Sequence, residues 1–147
     1  MKQVCIQGLG FVGVAMAIAL SNVKTAKGNP KYFVTGVDLP TEQGLKRIDA
    51  VNSGTLPFNT ADQKLVTAFL AAKKAGNLVA TTDESSYELA DVVIVDLPLD
   101  IALVDGDIQM DMSGFGLAIR TVARKIKPGV LILIETTVPP GTCEKVI

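Results

Sequence analysis

The stretch VCIQGLGFVGVAMAIAL, from Val4 to Leu20, joins an apolar strand to an apolar helix through a turn that contains three glycines. Gly8, Gly10 and Gly13 form the pattern G-x-G-x-x-G. The pattern alone is weak, but a strand directly before it and a helix directly after it are typical of a dinucleotide-binding turn. In such a turn Gly8 allows the sharp bend, Gly10 lets a diphosphate approach the backbone, and Gly13 lets the helix pack closely on the strand.

An acidic residue follows the second predicted strand, YFVTGV (Tyr32–Val37). Asp38 at this place would accept hydrogen bonds from the adenosine ribose, and it favours NAD because a carboxylate repels the 2′-phosphate of NADP. Asp38 comes later than the usual spacing of about 20 residues, and the polar loop at residues 24–31 accounts for the difference. Lys46 and Arg47, further along, are predicted to be solvated helix residues. The alternative is a glycine turn without a cofactor, which the strand, the helix and the acid together disfavour.

Apolar segments that read as strands alternate with helical patterns along the whole chain. Strands are predicted at residues 3–7, 32–37, 78–80, 92–97 and 130–135. Helices are predicted from Phe11 to about Asn22, at residues 40–50, 61–74 and 113–126, as a short turn at 85–89, and from Pro139 onward, with a turn-rich segment at 51–59. This order predicts one α/β domain over residues 1–147, a Rossmann-type doubly wound parallel sheet with helices on both faces.

The composition disfavours several classes of function. The formal net charge is −1 with no block of like charges, so nothing suggests a nucleic-acid footprint. We see neither a membrane span nor a signal peptide, and we expect a cytoplasmic protein. The chain has no histidine, which rules out a histidine base or histidine metal site within it. Cys5 and Cys143 fit no metal-binding or redox spacing, so no metal site is predicted.

Three segments with acidic residues or a thiol could carry a function, but a structural role is favoured for each. The segment DGDIQMD at residues 105–111 lacks the glycine and glutamate of a calcium loop, and it is predicted to be a polar turn and helix cap. Asp96 and Asp100 could pair as acid and base, but a solvated loop is the favoured reading. Cys143 near a helix start could be a nucleophile, yet no base is evident beside it.

The stretch IETTVPPGT at residues 134–142 ends a predicted strand with Thr136 and Thr137. Ligands of open α/β sheets lie beyond the carboxyl ends of the strands, which would put both threonines near the cofactor. The alternative is that they cap the following helix, with Pro139 or Pro140 in its first turn. Periodicity alone favours this alternative.

The segments GLGFVG, GVD, VNSGTLPF, ADVVIVDLP, DMS and ETTVPPGT occur in this order across nearly the whole chain. The combination resembles the N-terminal NAD-binding domain of the UDP-glucose/GDP-mannose dehydrogenase family. The resemblance implies oxidation of a nucleotide-sugar C6 alcohol to a carboxylate with two NAD molecules, as in polysaccharide biosynthesis. In the family the catalytic cysteine and the substrate-binding lysine and asparagine lie in later domains. We therefore expect a longer chain, with a homodimer in the full-length form.

The resemblance also assigns roles to residues. Thr137 matches a threonine thought to orient a water near the nicotinamide, which makes it the catalytic candidate. The implied cofactor-binding positions are Gly8, Gly10, Phe11, Val12, Gly13, Asp38, Leu97, Pro98, Thr136 and Thr137. Two departures stand out: Leu99 replaces a threonine that lies close to NAD in the family, and Asn59 and Thr60 follow the VNSGTLPF turn where many members have an acid.

Two other functions stay open at this point. One is another dehydrogenase with the same first domain, which the segment TTVPPGT disfavours. The other is a non-catalytic domain that binds or senses NAD, which the change at Leu99 keeps open.

Overall fold

The computed structural model describes residues 1–104 and 107–146. In chain order its elements are β1 (Lys2–Gln7), α1 (Phe11–Ser21), β2 (Tyr32–Val37), α2 (Glu42–Ser53), α3 (Gln63–Ala75), β3 (Leu78–Thr81), a 3-10 turn (Glu84–Leu89), β4 (Val92–Val95), β5 (Asp100–Val104), β6 (Asp107–Asp111), α4 (Ser113–Lys125), β7 (Leu131–Ile134) and α5 (Thr142–Val146). No helix of this part of the chain is long and apolar enough to cross a bilayer.

Five strands form one parallel sheet in the order β3-β2-β1-β4-β7. All five were predicted from the sequence, and the order is that of a doubly wound Rossmann-type fold. The register pairs Gln7 of β1 with Val37 of β2 and with Val95 of β4, and Val95 in turn pairs with Ile134 of β7. The carboxyl ends of four strands are therefore level with one another, and the residues that follow them share one edge of the sheet.

The central strands of the sheet are covered on both faces, which explains their continuous apolar runs. At the edge strand β7, Leu131 and Leu133 are 53% and 41% exposed. On one face Ile6, Val34 and Ile94 pack against α1, α2 and α3. On the other face Cys5, Val93 and Val95 pack against α4 and the 3-10 turn, through side chains that include Phe115 and Tyr87.

Local capping sets the helix boundaries that differ from the predictions. α2 runs three residues past its predicted end, through Ser53, because Gly54 takes a left-handed conformation with φ 86° and closes the helix there. Its start is capped by the Thr41 hydroxyl, which accepts from the N–H of Gly44 at 3.1 Å. The segment at residues 51–59 is therefore helical at its beginning and a turn only afterwards.

The region between β4 and α4 corrects two predictions. β4 ends at Val95, two residues before its predicted end, so Asp96 and Leu97 leave the sheet. The antiparallel pair β5 and β6 occupies much of what was predicted to be a polar turn. The N-cap residue of α4 is Met112, without a side-chain cap, but Asp111 before it accepts from the N–H of Ser113, the first residue of the helix, at 2.8 Å. Residues 105 and 106 lie outside the described residues.

Candidate functional site

The glycine turn between β1 and α1 is shaped by contacts that exclude side chains at two positions. Gly8 has a φ angle of 101°, and its N–H donates to the carbonyl of Val37 at 2.9 Å. A Cβ on Gly8 would lie 2.1 Å from the carbonyl oxygen of Asp96, and one on Gly13 would lie 2.1 Å from the carbonyl oxygen of Gly8. Both positions therefore require glycine. A Cβ on Gly10, in contrast, would meet no atom of the described residues within 4 Å.

The start of α1 is open to solvent and lacks a side-chain cap. Gly10 is the N-cap residue, and the first turn contains no acidic residue. The first hydrogen bond of the helix runs from the N–H of Val14 to the carbonyl of Gly10 at 3.0 Å, so the helix itself does not use the N–H groups before Val14. Phe11 and Val12 are 60% and 50% exposed. The positive end of the helix dipole thus faces open space, an arrangement that suits an anion such as a diphosphate.

A cleft of about 710 Å³ opens over this helix start. Its walls come from the glycine turn, the loop after β4 and the loop after β7. The lining residues are Gly10, Phe11, Val12, Asp96, Leu97, Pro98, Leu99, Met110, Glu135, Thr136, Thr137, Val138 and Pro139. Of the predicted cofactor positions, Gly8 and Gly13 shape the turn without lining the cleft, and Asp38 lies at the end of β2; the other positions line it.

Asp38 is held by four hydrogen bonds, and only 6% of its side chain is exposed. Its Oδ2 accepts from the N–H of Leu9 at 3.2 Å and from Nε of Arg47 at 2.7 Å. Its Oδ1 accepts from the N–H of Leu39 at 2.8 Å and from Nη2 of Arg47 at 3.1 Å. The prediction that Arg47 is a solvated helix residue is wrong, and its hydrogen bonds to Asp38 raise the pKa of the guanidinium.

The Asp38 carboxylate is therefore already saturated, because each of its two oxygens accepts two hydrogen bonds. Its negative charge is also balanced by Arg47 at close range. A ribose hydroxyl can bond to this carboxylate only by replacing one of the four donors. Asp38 lies at the end of β2, as predicted, but it is paired with Arg47, which was not predicted.

Thr136 and Thr137 follow β7 and use their hydroxyls differently. The buried Thr136 hydroxyl accepts from the N–H of Leu97 at 2.9 Å and donates to the carbonyl of Val95 at 3.4 Å. It thus ties the loop after β7 to the loop after β4. Thr137 is exposed and lines the cleft. The alternative in which both threonines cap the next helix is wrong, because α5 begins only at Thr142.

Asp96 is the first residue after β4, in a loop as predicted, and its side chain lines the same cleft. It is half-buried, and burial raises the pKa of its carboxyl above the ordinary value. The backbone N–H of Gly13 offsets part of this increase. The side chain of Asp100, the other member of the predicted acid–base alternative, lies outside the described residues.

A second cavity of about 350 Å³ lies on the other side of Leu97 and Pro98, which line both spaces. Leu39, Phe115 and Leu117 supply apolar walls. This cavity adjoins the end of β2 through Leu39, the neighbour of Asp38 in sequence, and its mostly apolar walls suit a flat ring.

Sequence reasoning missed the roles of Arg47 and Asp96. Arg47 could have been found by its place on the helix that directly follows Asp38, where a long cationic side chain can reach back to the acid. Asp96 could have been found by its position directly after a buried parallel strand, at the edge where ligands bind.

The sequence model for the NAD-binding domain of the UDP-glucose/GDP-mannose dehydrogenase family matches residues 2–147. The chain belongs to the UDP-glucose/GDP-mannose dehydrogenase family. It corresponds to the domain of that family that binds NAD, so the cofactor is NAD. The order of motifs from GLGFVG to ETTVPPGT therefore identified the family correctly.

Individual members of the family are similar over almost the whole chain. The UDP-N-acetyl-D-mannosamine dehydrogenase of Methanocaldococcus jannaschii is 32% identical over 145 residues, which is 99% of this chain and 30% of that protein. The structure of NDP-N-acetyl-D-galactosaminuronic acid dehydrogenase from Methanosarcina mazei aligns with a TM-score of 0.86 at 26% identity, over 99% of this chain and 29% of that one. For a GDP-mannose dehydrogenase from Pseudomonas aeruginosa the TM-score is 0.76 at 27% identity, over 99% and 30%. The chain thus spans about 30% of the length of the curated relatives it matches.

Proposed function

We propose that the cleft binds NAD, with the diphosphate at the start of α1 and the nicotinamide end toward Thr137. The observation that carries this proposal is the contrast among the three glycines. Gly8 and Gly13 are required by packing, whereas no atom of residues 1–104 and 107–146 lies within 4 Å of a Cβ placed on Gly10, at the uncapped start of a helix. A diphosphate requires this combination of a close backbone approach and unused N–H groups.

The adenosine half of NAD is assigned to the end of β2 and the second cavity. Asp38 would bond to a ribose hydroxyl by exchanging one of its four present donors, of which Arg47 supplies two. Leu39 and Leu117 are 55% and 61% exposed at the mouth of the cavity, so an adenine ring would cover them. The preference for NAD over NADP is proposed from the acid at Asp38 and from the NAD-binding family to which the chain belongs, although Arg47 offsets part of the charge of that acid.

We further propose that the whole protein oxidises the C6 alcohol of a nucleotide sugar to the carboxylate. The relatives named above support this, since they are dehydrogenases of nucleotide sugars. NAD supplies the hydride acceptor when it is bound. The present chain supplies the binding and orientation of the cofactor, and the exposed Thr137 hydroxyl orients a water near the nicotinamide end. The 147 residues are expected to bind NAD without turning over a nucleotide sugar.

The cytoplasm is the proposed location, supported by two unpaired thiols, Cys5 and Cys143, that a reducing compartment maintains. A nucleotide sugar, bound mainly by other domains, is the proposed partner molecule, with a homodimer as the full-length assembly. The near-neutral charge supports a small-molecule partner rather than a nucleic acid.

The proposal is tested by calorimetric titration of the chain with NAD and NADP. The Gly10→Ala variant is expected to weaken NAD binding about tenfold or more, because its methyl group occupies the diphosphate position. Its unfolding free energy is expected to stay within about 0.5 kcal/mol of the parent, since no neighbour is displaced.

The Gly13→Ala variant serves as the contrast. Its Cβ meets the Gly8 carbonyl oxygen at 2.1 Å, so it is expected to lose about 1–3 kcal/mol of stability in urea unfolding. A folded parent chain that binds no NAD would refute the site. Preferential binding of NADP would remove the role assigned to Asp38.

A further inference from the structure

Asp96 places a carboxylate beside the helix start that the proposed function assigns to a diphosphate. Its backbone packs against the turn, where a Cβ on Gly8 would lie 2.1 Å from the Asp96 carbonyl oxygen. Its Oδ2 is 3.2 Å from the position of a Cβ on Gly13, in the first turn of α1. Asp96 also lines the cleft together with Gly10 and Val12. The Asp96 carboxylate would therefore lie beside the first turn of α1, where the diphosphate is proposed to bind.

The surrounding side chains do not neutralise this carboxylate. Asp96 forms no salt bridge within residues 1–104 and 107–146. The neighbouring charged side chains are Glu135 in the same cleft, Glu84 and Asp111 in the adjoining cavity, and the Asp38–Arg47 pair at the end of β2. The first turn of α1 holds no acid, and Gly8 and Gly13 have no side chain to offer. The N–H of Gly13 bonds to this carboxylate and favours its charged form, and the hydroxyls of Thr136 and Thr137 line the same cleft.

We propose that Asp96 sets the affinity of this domain for its dinucleotide, because its ionised carboxylate repels the diphosphate and its protonated form does not. This inference rests on the proposed NAD site. Asp96 would thus adjust the affinity for NAD, whereas the residues described above form the binding site. The half-buried position matters, since charges near a protein surface are screened less than charges in bulk water.

The pH dependence follows from the sign of this interaction. Burial already raises the pKa of Asp96. A bound diphosphate adds negative charge nearby and raises that pKa further, so the complex holds more proton than the free protein. By linkage, binding of NAD takes up protons and becomes stronger as the pH falls toward the pKa of Asp96.

The test compares NAD binding by the parent chain, Asp96→Asn and Asp91→Asn in calorimetric titrations. Asp91 is the matched control, because it adjoins the same strand at its opposite end and its replacement changes the net charge equally. At about pH 8 we expect Asp96→Asn to bind NAD about tenfold more tightly than the parent, and Asp91→Asn to bind within about twofold of it. The advantage of Asp96→Asn should shrink as the pH is lowered toward about 5.

A second measurement requires no variant. Titrations of the parent in buffers of different ionisation enthalpy count the protons exchanged, and uptake on NAD binding is expected in the acidic range where Asp96 titrates. Equal or weaker binding by Asp96→Asn at high pH would overturn the role of Asp96 while leaving the NAD site intact, and so would the absence of proton uptake by the parent. Failure of all three proteins to bind NAD would instead overturn the proposed function itself.

Discussion

At the scale of single residues, the pair formed by Asp38 and Arg47 shows how context changes the meaning of an acid. A free carboxylate at the end of β2 was expected to accept hydrogen bonds from the ribose. In the structure it is buried, accepts four hydrogen bonds and is paired with a guanidinium. The pair connects the end of β2 to α2 and, through the N–H of Leu9, to the glycine turn. It therefore contributes to the shape of the turn as well as to its charge.

Removal of Arg47 should be costly for this reason. The Arg47→Ala variant is expected to lose about 1–2 kcal/mol of unfolding free energy, less than a fully buried pair because 30% of the Arg47 side chain is exposed. The control is Lys46→Ala, whose ion pair with Glu42 has side-chain exposures of 73% and 82% and should contribute less than about 0.5 kcal/mol. Equal losses in urea unfolding would show that the Asp38 pair does not stabilise the fold.

At the scale of elements, the loops after neighbouring strands are tied by side-chain hydrogen bonds to backbone. Thr136 joins the end of β7 to the end of β4, as described above. Asn52 on α2 bonds both the N–H and the carbonyl of Ala80 in β3, at 2.9 and 2.8 Å. The Thr136 hydrogen bonds hold the irregular backbone after β4 and β7 in one arrangement beside the cleft, and the Asn52 hydrogen bonds fix α2 against β3.

The Thr136→Val variant tests one of these ties. Valine keeps the volume but leaves the N–H of Leu97 without its acceptor, so a loss of about 1–2 kcal/mol is expected in urea unfolding. Thr137→Val is the matched control for stability, because Thr137 is exposed. If the two variants lose the same stability, the buried hydroxyl does not hold the loops together.

The 3-10 turn provides a pH-dependent element. Hydrogen bonds from the Ser85 hydroxyl and then from its backbone N–H lower the pKa of Asp83. A carboxyl whose pKa is depressed by folding stabilises the fold above its unfolded-state pKa and loses that contribution as the pH falls through its folded-state pKa. The thermal midpoint should therefore fall below about pH 4, and the fall should be smaller in Asp83→Asn and intermediate in Ser85→Ala. A fall of the same size in all three proteins would exclude this cap as a contributor.

At the scale of the whole molecule, the site is assembled from segments that are far apart in the chain. The glycine turn, Asp38, Asp96 and Thr136 follow β1, β2, β4 and β7, and only the shared register brings them to one edge. The site therefore exists only when the central sheet is complete. Loss of the sheet and loss of the cleft should occur together.

The two thiols can be used to measure global unfolding of the sheet. Cys5 lies in the middle of β1, is 2% exposed, and has a pKa raised to about 11 by burial. Cys143 is exposed on α5. An alkylating reagent is expected to modify Cys143 in the native protein and Cys5 only upon unfolding. In a Cys143→Ser variant the rate of Cys5 modification should rise with urea in parallel with global unfolding; rapid modification under native conditions would contradict the packing of β1.

The central sheet was predictable because parallel strands buried on two faces produce unbroken apolar runs, such as VVIV at β4. The β5–β6 pair was not predicted, because the acids of DGDIQMD favoured a polar turn and helix cap, although Asp105-Gly106 between two apolar segments is a hairpin signal. The positions of the glycines and Asp38 were predictable from local order. Local order also places Arg47 on the helix after Asp38 and Asp96 at the end of β4, but the distances and burial that give them their roles depend on how that helix and that strand end approach the turn.

The unequal demands on the three glycines bear on how such motifs are interpreted in other genes. A descendant of this chain that no longer needed a dinucleotide would still keep Gly8 and Gly13, because any side chain there collides with backbone oxygens. Only Gly10 would be free to drift, since nothing in the described fold occupies the space beside it. In such descendants Gly8 and Gly13 would indicate only that the fold is kept. Retention of Gly10 would indicate that a ligand is still bound.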